Sequence, residues 1–222
     1  MSPAAQDYLK ALYLECEPDS ASGESLVSTT ALSQRLGVSA ASATNMLKKL
    51  DALGLVSHVP YHGAELSESG RKVALEVIRH HRLLETYLAE ALGVPWDEVH
   101  AEAEVLEHVL SEGLEERIAA HLGHPTLDPH GHPIPSKDGS VPRVSETRLW
   151  DAPVGERVLV ERVSDAHPDG LRYLARIGVR PGASLFITGR GPVGGPLFVQ
   201  VPDSGVHAQA LSREIAEAVW VS

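Results

Sequence analysis

Ser28–Gly54 reads STTALSQRLGVSAASATNMLKKLDALG. Ser or Thr at its start can cap a short helix through Leu36. Gly37, Val38 and Ser39 form a turn, and Ala40–Leu53 is a second helix with apolar Ala43, Met46, Leu47 and Leu50. Gly54 stops it. Two short helices joined by a glycine-containing turn make a helix-turn-helix. Downstream, Leu55–Val59 and Gly63–Ser67 flank Pro60, Tyr61 and His62, so a small hairpin, the wing, is expected there. Upstream, Ala4–Glu17 reads as an opening helix and Pro18–Ser25 as a loop.

If the second helix lies in a major groove, its N-terminal residues face base edges. Ala41, Ser42 and Asn45 hold those positions, suited to a thymine methyl, to either base type and to adenine respectively. Ser39, Thr44, Lys48 and Lys49 would hold phosphates. The alternatives are a solvated amphipathic helix in some other kind of domain, and a winged helix that serves as a protein-interaction module. Net charge is −11, which taken whole repels nucleic acid. The charge is uneven, however. Ser25–Lys72 holds five basic residues (Arg35, Lys48, Lys49, Arg71, Lys72) against three acids (Asp51, Glu65, Glu68), so this block can meet phosphate.

Glu85–Glu116 is the opposite, with ten acids and neither Lys nor Arg, and needs cations to relieve its repulsion. Inside it lies His100–His108, HAEAEVLEH. On a helix His100, Glu104, Glu107 and His108 fall at about 0°, 40°, −20° and 80°, sharing one face. Val99, Ala103, Leu106 and Leu110 form a separate apolar stripe. His81 and Glu85 add an i, i+4 pair on the preceding helix. Imidazole and carboxylate without thiolate suit a divalent first-row metal. One His–Glu pair is more often a surface salt bridge; six coinciding groups favour metal. A metallohydrolase is a rival, but the zincin His-Glu-x-x-His pattern, a nucleophile elbow and a Walker loop are missing, and Gly191–Gly195 reads as a turn. A metal-binding scaffold is the other.

The 222 residues suffice for one large domain or two to three small ones. The apolar runs are too short to span a bilayer, and no basic-then-apolar leader opens the chain. The single cysteine, Cys16, excludes an internal disulfide framework and fits a reducing cytosol. Aromatic content of 5% argues against a base-stacking surface. Five prolines and three glycines between Gly123 and Pro142 mark a linker. Beyond Thr147, Arg157–Val163, Ser184–Thr188, Leu197–Val201 and Val219–Val221 have strand composition, with short helices at Leu171–Ile177 and Leu211–Ala218. The expected fold is α+β: a winged helix-turn-helix over 1–72, a helical metal-binding domain over 73–140 with its linker from about 123, and an all-β SH3-like barrel over 147–222.

Over essentially its whole length the chain resembles the diphtheria toxin repressor family of metal-dependent transcriptional regulators. The resemblance rests on the winged helix, His80–Glu85 (HHRLLE), Glu98–His108 (EVHAEAEVLEH) and the linker His130–Pro135 (HGHPIP). It implies two neighbouring metal sites per subunit. Asp7, Glu104, Glu107 and His108 match the regulatory site, and His81, Glu85 and His100 the ancillary one. Near His167 the SH3-like domain of related members donates to the ancillary site, with Asp169 as a substitute. Iron-responsive members carry Met and Cys where this chain has Asp7 and Glu104, and the exchange for carboxylates favours Mn²⁺ over Fe²⁺. One departure is Lys10, where the manganese group carries a further acid.

The resemblance implies no enzyme and no small-molecule substrate. It implies a cytoplasmic homodimer, without membrane contact, whose palindromic double-stranded operator is bound when Mn²⁺ (or Fe²⁺) joins the first helix to the dimer-forming region. An iron-dependent repressor is the alternative within the family.

Overall fold

The computed structural model describes residues 1–16, 26–202 and 208–222. The Pro18–Ser25 loop lies outside the described residues. The chain divides into two compact units, one of residues 1–81, 107–110 and 135–140, the other of residues 82–106, 111–134 and 141–222.

The first unit opens with α1 (Pro3–Glu15), α2 (Thr29–Arg35) and α3 (Ala40–Ala52). A serine begins each helix: the hydroxyls of Ser2, Ser28 and Ser39 accept from the backbone N–H of Ala5, Ala31 and Ser42, satisfying orphan donors of the first turn. Between α2 and α3 the chain needs a left-handed residue, and Gly37 supplies it at φ 63°. Leu9, Leu12, Leu32, Ala43, Leu47 and Leu50 are fully buried where these helices meet. Each such leucine contributes roughly 1.5–3 kcal/mol of transfer free energy. β1 (Val56–Val59) and β2 (Gly63–Leu66) pair antiparallel as the wing, and Val27 bridges to Ala64 along its edge. Helix α4 (Glu68–Leu92) follows, its first turn tied by Ser67, whose hydroxyl donates to Gly54 O and accepts from Gly70 N–H.

The second unit holds α5 (Val99–Leu106), α6 (Glu112–His121) and the C-terminal sheet. That sheet is antiparallel in the order β6-β5-β4-β3-β7, with β3 (Arg157–Val163), β4 (Ser184–Arg190), β5 (Leu197–Gln200), β6 (Gln209–Leu211) and β7 (Val219–Val221). Register shifts after Val160 and Ile187 bend β3 and β4. Val158, Val160, Leu185, Ile187, Leu197, Val199 and Val221 point inward, covered by Leu171 and Leu174 of α7 (Pro168–Arg176). Trp96 joins this core.

The α+β class and the three kinds of module are as the sequence predicts. Helix α7 begins three residues earlier than the expected Leu171–Ile177, and two further stretches of this unit differ. The Leu211–Ala218 helix is shorter, α8 (Arg213–Glu217), because Leu211 pairs with Leu197 in β6 and Ser212 then caps the helix through Ile215 N–H. The proline- and glycine-rich stretch after Gly123 lacks helix and strand yet is fixed: Asp128, His130 and Ile134 are buried, and Leu127 bridges to Pro133. Its composition excludes regular elements without excluding packing. Among the described residues no helix is long and apolar enough to cross a membrane.

Candidate metal centre and DNA interface

The His100–His108 stretch is not one helix. α5 ends at Leu106, and Glu107 and His108 occupy the turn that follows. Beyond that turn Ser111 caps α6 in extended conformation, its hydroxyl accepting from Leu114 N–H, so α5 and α6 do not run on as one helix. The shared helical face expected for His100, Glu104, Glu107 and His108 is thereby divided.

In the first unit Asp7, Glu107 and His108 converge, with one ligand atom of each within 4.8 Å of the others. Nε2 of His108 lies 2.8 Å from Oδ1 of Asp7 and 3.6 Å from Oε1 of Glu107. Its Nδ1 stands 2.9 Å from Oε1 of Gln6, so an Nδ1–H donor leaves Nε2 as the nitrogen facing the carboxylates. Glu107 is wholly buried and is met by Nζ of Lys10 at 2.8 and 3.1 Å. Nδ1 of His81 lies 2.5 Å from Oε2 of Glu107 and 3.1 Å from Lys10 Nζ. His80, next to it, places Nδ1 3.2 Å from the carbonyl oxygen of Glu107.

In the second unit Glu85, His100 and Asp165 converge. Nδ1 of His100 is 3.2 Å from Oε1 of Glu85 and 3.4 Å from Oδ2 of Asp165. Glu104 lies one turn along α5, its Oε1 3.8 Å from Nε2 of His100. On the other side of Glu85, Oε2 is 3.7 Å from Nδ1 of His130. His130 donates Nε2–H to the carbonyl of Trp96 at 2.7 Å, which leaves Nδ1 as the nitrogen facing Glu85. That buried nitrogen has no hydrogen-bond partner among the described residues. A lone pair turned on a carboxylate calls for a cation between them, either a proton or a metal ion. Nearby, Asp128 accepts the backbone N–H groups of His130 and His132 through Oδ1, and its Oδ2 lies 3.4 Å from Nδ1 of His132.

These contacts set the protonation of the cluster. Hydrogen bonds to Asp165 and Glu85 push the His100 pKa up to about 10. Burial opposes charge on His130, but Glu85 outweighs it and carries the pKa to about 9. Burial likewise opposes ionisation of Asp165, and the His100 hydrogen bond outweighs it, holding the carboxyl well below its usual range.

His167, the residue proposed from sequence near the ancillary site, is exposed as the N-cap of α7 and makes no side-chain capping bond. Asp169 pairs instead with Arg172. Asp165, two residues before His167, is the one that reaches His100. Sequence reasoning missed Asp165, Asp128 and His130 as polar partners. The one available signal was the density of histidine and acid in the Leu127–Pro133 stretch (LDPHGHP).

On α3, Ala41, Ser42, Asn45, Lys48 and Lys49 are exposed. Ser39 is exposed as well, its hydroxyl engaged as the N-cap and bonded to that of Ser42. Thr44 is half-buried and donates to Ala40 O. Asp51, at the end of α3, accepts from His58 N–H and ties the helix to the wing.

A winged helix with a polar exposed recognition face, carboxylate–imidazole clusters and a small β domain together define a metal-responsive DNA-binding regulator. Family models agree along the chain. The N-terminal DNA-binding domain of iron-dependent repressors matches residues 1–64, their metal-binding and dimerisation domain residues 67–136, and the FeoA domain residues 147–222. The iron-dependent repressor IdeR of Mycobacterium tuberculosis is 34% identical over 202 residues, 86% of each chain. A solved manganese-dependent transcriptional repressor in complex with manganese is 43% identical with a TM-score of 0.89, over 98% of each chain. The manganese regulator SloR is 28% identical with a TM-score of 0.80, covering 100% of this chain and 99% of that one. The chain belongs to the iron-dependent repressor (diphtheria toxin repressor) family of metal-dependent transcriptional repressors. Members of that family bind DNA and divalent metal and carry a dimerisation domain; they are repressors rather than enzymes.

Proposed function

We propose that this chain is a manganese-responsive repressor of metal-uptake genes. It works in the cytoplasm as a homodimer on a palindromic operator. One observation carries the regulatory part. Asp7, on the first helix of the winged-helix module, meets Glu107 and His108, which the sequence places far away beyond α5. An ion held there clamps α1 to that segment. Its two positive charges offset the mutual repulsion of the carboxylates. Recognition helices of a twofold dimer are then held at one-turn spacing.

The full ligand sets follow the family resemblance: Asp7, Glu104, Glu107 and His108 for the regulatory ion, and His81, Glu85 and His100 for the ancillary one. To the second we add Asp165 and His130, on the distances above. The donors are carboxylate oxygen and imidazole nitrogen alone, and hard oxygen ligands favour Mn²⁺. Iron is the second choice, supported by the likeness to an iron-dependent repressor. The domain division is 1–72, 73–140 and 147–222. Ser39, Ala41, Ser42, Thr44, Asn45, Lys48 and Lys49 make the DNA contacts.

A DNA-binding titration against Mn²⁺, Fe²⁺ and other divalent ions at one stated salt concentration tests this. Binding should require the ion, be strongest with Mn²⁺, and vanish with chelator. Equal binding without metal overturns the proposal.

A further inference from the structure

Lys10 belongs to α1, one turn after Asp7, and its side chain is only 10% exposed. Lysine is rarely buried unless paired. Here the pairing is with Glu107, whose carboxylate is fully buried and takes the ammonium on both oxygens, at 2.8 and 3.1 Å. The same ammonium lies 3.1 Å from Nδ1 of His81. A buried carboxylate left without a cation is strongly destabilising. Glu107 therefore has a cation supplied by the chain itself.

Building on the metal site proposed above, we infer that Lys10 is a resident counter-ion that competes with the incoming metal for Glu107 and limits this cluster to one divalent ion. The Lys10 ammonium, paired with Glu107, cancels one of the carboxylate charges that the ion would otherwise meet. The carboxylate has two oxygens, so one can turn to the ion at Asp7 and His108 while the other stays on Lys10. A second divalent ion on the His81 side of Glu107 would have to displace the ammonium. Lys10 thus sets two properties together. It keeps the metal-free protein folded around Glu107, and it weakens metal affinity to a level at which occupancy can follow the metal supply.

The two effects have opposite signs, which separates a counter-ion from an ordinary packing residue. The test uses the full chain carrying His100→Ala and Asp165→Ala, so that Mn²⁺ uptake reports the first-unit cluster. Bound Mn²⁺ is measured from the paramagnetic resonance of the free ion, and melting temperature from circular dichroism. Lys10 chains should take up one Mn²⁺. Lys10→Met should melt at lower temperature without metal, yet bind Mn²⁺ roughly tenfold or more tightly. Lys10→Gln, which keeps a hydrogen-bonding group, should show the same pair of signs if the methionine variant does not fold. Lys10→Arg should stay near the parent in both. Loss of both melting temperature and affinity, no change in either, or uptake of two ions by the Lys10 chain overturns the counter-ion role and leaves the metal site standing. Uptake of no Mn²⁺ by the Lys10 chain overturns the metal site and the inference together.

Discussion

Nε2 of His108 stands 2.8 Å from Oδ1 of Asp7, while its other nitrogen faces the amide oxygen of Gln6. If Nδ1–H donates to Gln6, the nitrogen turned on Asp7 needs a proton or an ion to reconcile it with the carboxylate. Asp7→Ala should therefore remove metal-stimulated operator binding with the helical content unchanged. Gel-shift titration beside circular dichroism checks this, and an unaltered metal response counts against the ligand assignment.

In the proposed site Gln6 would act through His108, whose Nδ1 lies 2.9 Å from its amide oxygen, rather than as a ligand. Outer partners of ligating histidines typically carry ten- to a hundredfold in metal affinity. Gln6→Ala should weaken Mn²⁺ binding within that range. Gln6→Glu, which retains an acceptor, should recover most of it. Calorimetric titration of both variants reads the difference.

The second cluster makes the protein sensitive to alkali when metal is absent. His100 and His130 have folded-state pKa values near 10 and 9, above the ordinary 6.5. Their charged forms thus stabilise the fold fully below about pH 6.5, and this contribution disappears as pH rises through 9 to 10. Metal-free melting temperature should fall over that window. Mn²⁺, by displacing the same protons, should bind more tightly as pH rises and release protons at pH 7. Calorimetry in buffers of different ionisation heat counts them, and zero release is the adverse result.

Gly131 sits at φ 88° with its Cα against β3, so that a Cβ would lie 2.1 Å from the carbonyl oxygen of Glu161. Backbone cannot retreat as a flexible side chain can. Gly131→Ala should cost about 1–3 kcal/mol by urea unfolding, and should also displace His130 and weaken the second ion. A stable variant with unchanged ion uptake would detach His130 from that site.

Asn45→Ala should relax preference at one base pair of the operator by about 1–3 kcal/mol while leaving other positions as they were. Lys48→Ala should instead weaken all sequences alike and reduce the salt dependence. Binding-site selection with each variant distinguishes the two.

The winged helix was legible because its signals are local: serine caps, a glycine turn and period-3.6 leucines within thirty residues. The C-terminal sheet was legible for a similar reason, except β6, whose three residues are too few to show alternation. The candidate metal clusters were legible as a set of residue types and less so as an arrangement. Treating His100–His108 as one helix overlooked the end of α5 at Leu106, after which Glu107 and His108 lie in a turn. Asp165 and His130 were invisible because their neighbours come from distant segments, and because proline and glycine around His130 suggested a tether. Sequence named the ligand chemistry; long-range packing decided which groups meet.

His130 is gripped from three sides: its ring by the carbonyl of Trp96, its carbonyl by Val163 N–H, and its N–H by Asp128. Two of these grips and Asp165 depend on the C-terminal sheet or on the tryptophan built into its core. The β domain is therefore not an interchangeable cassette. A truncated protein ending near residue 140, or a chimera with a foreign β domain, would inherit the histidine without the scaffold that aims it. Recombination among relatives would keep the proposed second site only where the tryptophan, the proline-rich stretch and the sheet are transferred as one block.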